Sequence, residues 1–427
     1  MAQEVDPTFR VSDSTFQGPD PIFFDKMRER LLPLFFVALP LSVAIQQTLL
    51  GVLLALVVVY CWRERKLPTT VLDGPLFFLF GAFLLSTLFS PAVGASLLGY
   101  RKLWLVGAFF VTAILLTRPH EAERAIKLMV VVTSIIAAYG IVQHYTGLDL
   151  NKQLRGKASS LDPFWFGRDE GFRTKGIHPS GITFAHNLLF PLTFVTVWLS
   201  WPKISWRQRL FLFVSWGLMI FALLFSLTRG VWVAYAAVVV VLGVVRGGRT
   251  LAGIVGGSLL LGTCVLGAGA GVQERLWSTF DFVENLPRSQ IWQANIDMIK
   301  ERPLFGWGYG NYRQFRDPFY ERYPKIDTTA HAHNNFLQLW VDSGVVGLVA
   351  FLYLFVVVLR LSWRTYRHAP LGNERLQMIA LGVFLSLIGF LVGGMTQYNF
   401  GDAEVVLVMW SMAGLITRMH GWVEKDG

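Results

Sequence analysis

Apolar runs of about 17–25 residues, each long enough to cross roughly 30 Å of hydrocarbon, recur along this chain between short polar segments. The pattern predicts helices near 31–45, 48–62, 75–90, 101–117, 125–146, 180–200, 208–227, 230–245, 250–271, 334–359, 376–397 and 402–418. The stretch 210–245 is broken only by SLTRG. As one helix it would be about 54 Å long, so it reads as two spans with Arg229 at the hairpin tip. Pro33 and Pro40 interrupt the first pair. The fold class is therefore an all-α polytopic membrane protein of about twelve transmembrane helices. Its parts are an N-terminal tail at 1–30, nine helices over 31–271 with an outward loop at 147–179, a large loop at 272–333, three helices over 334–418, and a tail at 419–427.

Composition agrees. The chain is 53% hydrophobic and only 15% charged, where a soluble protein carries about a quarter charged residues. The first 30 residues are polar and lack the apolar core of a cleavable signal peptide. Cys61 and Cys264 both fall in apolar runs, which suggests neither a disulfide framework nor a zinc site. An even number of spans puts both termini on one side. Assigning that side to the cytoplasm places WRERK, TRPHEAER, WPKISWRQR, VRGGR and RLSWRTYRHAPLGNER inside, as the positive-inside rule asks. Those loops and the C-terminal tail account for the whole net charge of +10, so the basic balance is a topology signal and not a nucleic-acid footprint.

The unusual polar residues collect on the outer side. Loops beyond about 15 residues are usually functional, and two outward loops exceed that. In the second, SQIWQANIDMIKERP reads as a helix with Ser289 as N-cap, Ile291, Trp292, Asn295, Met298 and Ile299 to one side and Pro303 past its end. Residues 276–323 hold twelve Phe, Trp or Tyr side chains, suited either to stacking on sugars or to anchoring in the headgroup layer. His331 and His333 stand at the mouth of the tenth span. Asn335, Gln338 and Asp342 follow at i, i+3, i+7 and share one helix face. Such groups are costly within a span unless they face a wet cavity or a neighbouring helix, and either explains the stripe. Gly344 and Gly347 permit close approach of another helix.

A histidine at a helix start is disfavoured as imidazolium by the helix dipole, and a neutral imidazole can accept a proton from a hydroxyl. Arg229 and Arg288 offer forked donors suited to phosphate; Arg173, Lys175 and His178 lie before the sixth span. Each has an ordinary structural reading beside the functional one: a snorkelling arginine, a capping histidine, a solvated basic surface. No P-loop, GxGxxG, HExxH or outer Asp-x-Asp occurs, so neither cofactor nor metal is expected. Asp402 and Glu404 read as capping residues of the last span.

HNNFLQLWVDSGVVG resembles the signature of the O-antigen ligase family: His333-Asn334, nine residues, then Gly344-x-x-Gly347. SLTRGVWVAY, PRSQIWQANIDMIKERPLFGWGYGNY and FRTKGIHPSGITFAHNLL resemble further family segments, together covering roughly 170–347. The resemblance implies a GT-C-like, metal-independent, inverting glycosyltransferase. It would transfer a glycan from undecaprenyl pyrophosphate to a lipid A–core acceptor, on the periplasmic face of the inner membrane. Carried over, His333 would be the general base, and Arg229 and Arg288 would hold the pyrophosphate. Asn334, Asn335, Gln338, Arg173, Lys175 and His178 are candidate substrate contacts, and His331 an accessory one outside the family pattern. O-antigen polymerases and protein O-oligosaccharyltransferases share the histidine loop. A lipid-linked-glycan transporter is the non-enzymatic alternative, but no internal repeat of the kind transporters show is visible.

Overall fold

The computed structural model describes residues 21–65, 68–154, 172–248, 282–326, 331–370 and 373–426, with isolated positions between 252 and 263. Most of the predicted ninth helix and most of the 147–179 loop lie outside these residues. The helices are α1 (Pro21–Ala38), α2 (Val43–Glu64), α3 (Asp73–Leu88), α4 (Val93–Gly99), α5 (Gly107–Leu115), α6 (Pro119–Thr146), α7 (Leu150–Leu154), α8 (Gly181–Leu199), α9 (Trp206–Phe225) and α10 (Arg229–Arg246). They continue with α11 (Phe282–Glu301), α12 (Tyr312–Phe315), α13 (Asp317–Tyr320), α14 (Asn335–His368), α15 (Glu374–Gly393) and α16 (Ala403–Asp426). The described residues contain no strand longer than an isolated bridge position. Eight spans among them are long and apolar enough to cross a membrane. The protein is a multi-pass, all-helical membrane protein.

Three boundaries differ from the hydropathy pattern for identifiable reasons. Helix α1 takes in the charged residues 21–30 that the pattern assigns to the tail. Arg28 is buried there because its guanidinium donates to the Glu121 carboxylate at 3.0 and 3.1 Å and to the Leu115 carbonyl at 3.0 Å. The predicted span 101–117 is composite: α4 and α5 are joined by a 3₁₀ turn, Tyr100–Val106. Helix α11 starts before Ser289 and runs through Pro287. Ser289 is thus inside the helix and not its N-cap, and its hydroxyl donates back to the Leu286 carbonyl at 2.8 Å.

At the centre lies α8, which is buried almost throughout. Helix α15 packs on both α8 and α10, α14 packs on α3, and α16 packs on α5. A second, smaller core joins the outer loop to the start of α14, where Ile291, Met298, Tyr312, Phe319 and Ala332 meet Val341.

Helix α14 is not one rod. Gly344 has φ 66° and ψ −174°, so the chain runs 335–343, breaks, and continues to 368. A break of this kind strips carbonyls of their intrahelical partners. The outer loop supplies replacements: Trp307 N–H donates to Val341 O and Gly308 N–H to Asp342 O, both at 2.9 Å, while Val345 N–H donates to Pro303 O at 2.9 Å. Close approach at Gly344 is therefore to the loop backbone at Leu304 and Phe305 and not, as the glycine spacing suggested, to another helix.

A Cβ at Gly344 would combine a left-handed φ with overlap on the Leu304 carbonyl. The backbone term alone is about 1–3 kcal/mol. Gly344→Ala is expected to lower the thermal unfolding midpoint of the detergent-purified protein by several degrees. Gly217→Ala, inside α9 with open space around the new methyl, is expected to leave it equal or higher.

Candidate active site

The outer end of the protein brings three turns together. The first is the histidine turn, 331–334. Asn334 is the N-cap of α14, its Oδ1 accepting from Phe336 N–H at 2.8 Å and Leu337 N–H at 3.1 Å. His333, just outside the helix, sits at φ 50°, a conformation uncommon for a residue with a side chain. The second turn, 394–398, joins α15 to the short Asn399–Gly401 turn. It is clamped to the first: Asn335 N–H donates to Gly394 O at 2.7 Å, and Asn334 Nδ2 donates to Met395 O at 2.9 Å. The third is the hairpin Ser226–Thr228, from which Arg229 opens α10. Gly230 lets that helix start come against Thr396 of the second turn, since a Cβ there would overlap the threonine hydroxyl.

The charges converge accordingly. Burial, and after it the charge of nearby Arg229, holds the Arg288 guanidinium below its ordinary range. Among the described residues no carboxylate shifts Arg288; the charge acting on it is another cation. Burial likewise holds His333 below the usual imidazole value, a hydrogen bond to Gln397 works the other way, and Arg288 adds to the depression. His333, Arg288 and Arg229 thus form one electropositive group at the start of a helix, whose dipole adds positive potential.

His333 Nδ1 lies 2.7 Å from Gln397 Oε1. An amide oxygen only accepts, so Nδ1 carries the proton and Nε2 is left as the ring's acceptor. The His331 ring centre is 4.3 Å from that of His333, at 66°. His331 is pushed down to about 3, first by burial, then by His333, and then by Arg313, Lys102 and Arg316. Its Nδ1 faces the His333 amide N–H at 3.3 Å and its Nε2 faces Gln397 Nε2 at 3.5 Å. With Nδ1 accepting from the amide, the neutral ring carries its one proton on Nε2, and the Gln397 approach there is a contact, not a hydrogen bond.

The polar stripe has a structural task. Gln338 Oε1 accepts from Ala332 N–H at 2.8 Å, and Gln338 Nε2 donates to Asp342 Oδ2 at 3.0 Å. Asn335 Nδ2 donates to Asn399 Oδ1 at 2.6 Å, while its Oδ1 accepts from Phe400 N–H at 3.1 Å. Asn335, Gln338 and Asp342 are all buried. They brace the histidine turn from within and do not line an open cavity. Asn334 is engaged as cap and clamp.

The basic residues ahead of α8 fare similarly. Lys175 Nζ pairs with the buried Asp149 carboxylate at 2.8 Å, and buried His178 contacts Glu404 Oε2 at 2.9 Å through Nδ1. Arg173 Nε donates to Ser226 O at 2.8 Å and its Nη2 to Thr228 Oγ1 at 3.4 Å, which fixes the hairpin presenting Arg229. Asp402 does cap α16, through the Glu404 amide at 3.1 Å, and also accepts from Thr183 Oγ1 at 2.7 Å. Gln397, Lys102, Arg313 and Arg316 were not singled out in the sequence. Gln397 stood as the last residue of a predicted span, yet α15 ends at Gly393. The polar run TQYN just beyond was the available signal.

Removing one partner of a pair whose carboxylate is fully buried leaves an uncompensated charge. Lys175→Ala is expected to destabilise the protein by roughly 3 kcal/mol. Asp149→Asn in the same background is expected to recover part of that loss in thermal denaturation.

Comparison with known proteins bears on the same region. A family model described as O-antigen ligase matches residues 214–352, which include Arg229, Arg288 and the histidine turn. An O-antigen ligase of Salmonella typhimurium is 26% identical over 271 residues, 57% of this chain and 60% of that protein. A putative polysaccharide ligase of Rickettsia conorii is 25% identical over 132 residues, 29% of this chain and 28% of that protein. The chain therefore covers less than two thirds of either relative. The matched segment holds both arginines and the His333-Asn334 to Gly347 signature in one site, and over that segment the chain is similar to the O-antigen ligase family.

Proposed function

We propose that the protein is a glycosyltransferase of the bacterial inner membrane that ligates O-antigen polysaccharide to lipid A–core in lipopolysaccharide biosynthesis. Its donor is the polysaccharide on undecaprenyl pyrophosphate, and its site faces the periplasm. The observation that carries this reading is the convergence of a neutral, desolvated His333 with Arg288 and Arg229. The pair of guanidinium groups suits a pyrophosphate, whose several oxygens accept bidentate bonds. An imidazole with a free Nε2 suits a hydroxyl.

In the reaction, the acceptor hydroxyl oxygen attacks the donor's anomeric carbon and forms the new glycosidic bond. The bond from that carbon to the pyrophosphate oxygen breaks, and its electron pair leaves with undecaprenyl pyrophosphate. The hydroxyl proton passes to His333 Nε2. Attack opposite the leaving group inverts the anomeric centre. Charge grows on the pyrophosphate as the bond breaks, so the arginine contacts strengthen in the transition state. The donor carries its own activation, and the scheme requires no nucleotide, cofactor or metal.

His333→Ala is expected to lower transfer by about 10²–10⁴-fold with the protein still inserted and folded. Substantial activity in that variant would remove the base assignment. Because His333 must be neutral and its pKa is below the ordinary value, activity is expected to hold through neutral pH. It should fall only as pH drops beneath the usual imidazole range. Each of Arg229→Lys and Arg288→Lys is expected to reduce kcat more than donor KM, and their combination to be less than additive; a snorkelling arginine would tolerate lysine. Product formation by reconstituted protein in excess chelator checks metal independence. In a strain lacking the gene, a ligase leaves lipid-linked polymer accumulating and no polymer on lipid A–core. A polymerase leaves single attached repeat units.

A further inference from the structure

Gln397 is fixed from both ends. Ahead of it, the 394–398 turn is held by Asn334 and Asn335 through the Met395 and Gly394 carbonyls. Behind it, Asn399 Nδ2 donates to the Phe390 carbonyl at 2.9 Å while its Oδ1 accepts from Asn335. A side chain on so constrained a backbone has little freedom, and its carboxamide meets two imidazoles: Oε1 at His333 Nδ1, 2.7 Å away, and Nε2 at His331 Nε2, 3.5 Å away. This is the arrangement in which a ring's second nitrogen is set by a fixed neighbour. With Oε1 toward His333, Nδ1 holds the proton and Nε2 is basic. With the carboxamide reversed, His333 would accept at Nδ1 and carry its proton at Nε2, making it an acid toward substrate.

We propose that Gln397 is the positioning residue of the site: through its hydrogen bond to Nδ1 it selects the His333 tautomer whose Nε2 can accept the proton of the acceptor hydroxyl. The inference rests on the reading of His333 as the base. The clamp of the two turns fixes the distance between carboxamide and ring. An amide is a neutral acceptor. It orients the ring without drawing it toward imidazolium as a carboxylate would, which, with its cationic neighbours, leaves the base free at neutral pH.

Groups facing His333 include Arg288 from α11, Gln397 from the 394–398 turn and His331 from its own turn. Removing the Gln397 acceptor is expected to lower the His333 pKa, since that bond favours the protonated ring. Converting it to a carboxylate is expected to raise that pKa. The test is the pH profile of kcat for purified, reconstituted full-length protein with lipid-linked donor and lipid A–core acceptor.

Gln397→Ala is expected to lose about 10–100-fold in kcat, with acceptor KM little changed and the acid limb moved to lower pH. Gln397→Glu keeps an acceptor at Nδ1. It is expected to recover most of the rate at alkaline pH, with its acid limb moved up by about one pH unit or more. A Gln397 that merely packs the turn would give both variants the parental acid limb, and that result would overturn the proposal. So would equal rates for the two variants at every pH. Thermal denaturation of both variants separates a rate loss from unfolding. The underlying reading is tested apart by His333→Ala: activity there removes the base itself. An inactive His333→Ala with unshifted Gln397 profiles removes only the role of Gln397.

Discussion

The site depends on the bond from the Asn335 amide to the Gly394 carbonyl, 2.7 Å long. It joins the start of one span to the end of the next at the outer surface. Around it the sequence supplies a second layer: Asn334 to Met395, and Asn335 to Asn399 and Phe400. The Asn335 bonds to Asn399 and Phe400 are buried and have few alternatives, since an unmade hydrogen bond there costs the full desolvation of its groups. The clamp is therefore stiff, and it fixes the spacing between the His333 ring and the Gln397 carboxamide. Both His333 and Gln397 are one or two residues from clamped positions.

Electrostatics sets the second constraint. Two guanidinium groups within each other's field and near an imidazole, at the positive end of a helix, make a place where no cation is comfortable. The neighbouring groups fit that setting. Arg173 is tied to hairpin carbonyl and hydroxyl oxygens, the histidines stay neutral, and the wider fold locks the hairpin.

Much of the architecture was legible in the hydrophobic pattern because the bilayer imposes one length scale on every span. The breaks were not. Hydropathy cannot see that Arg28 finds Glu121 across 93 residues, nor that Gly344 breaks α14 instead of packing it, because both depend on partners distant in sequence. The site divided in the same way. His333, Arg229 and Arg288 were recognisable from residue chemistry and spacing, and the structure gathers them. Lys175, His178, Asn334, Asn335 and Gln338 carry the same chemistry, but internal partners engage each one. Gln397 was hidden by its position: an uncharged residue at a presumed helix end gives no signal until the turn is known to curl back onto the histidines.

The inward stripe of Asn335, Gln338 and Asp342 places polar groups beneath the histidine turn as partners of one another and of their neighbours. Ala332 N–H, Gln338 and Asp342 form a short relay of hydrogen bonds, and the Asp342 carbonyl accepts in turn from Ser86 Oγ at 2.7 Å and from Gly308 N–H. One chain of contacts thus links α3, the aromatic outer loop and the histidine turn. A polar network in a low-dielectric setting specifies geometry strongly only when its members are paired. The Gly344 break is what makes this possible: it frees the Val341 and Asp342 carbonyls from the helix so that the loop can take them. The same break that interrupts α14 therefore couples the outer loop, with Arg288 at its head, to the turn that carries His333.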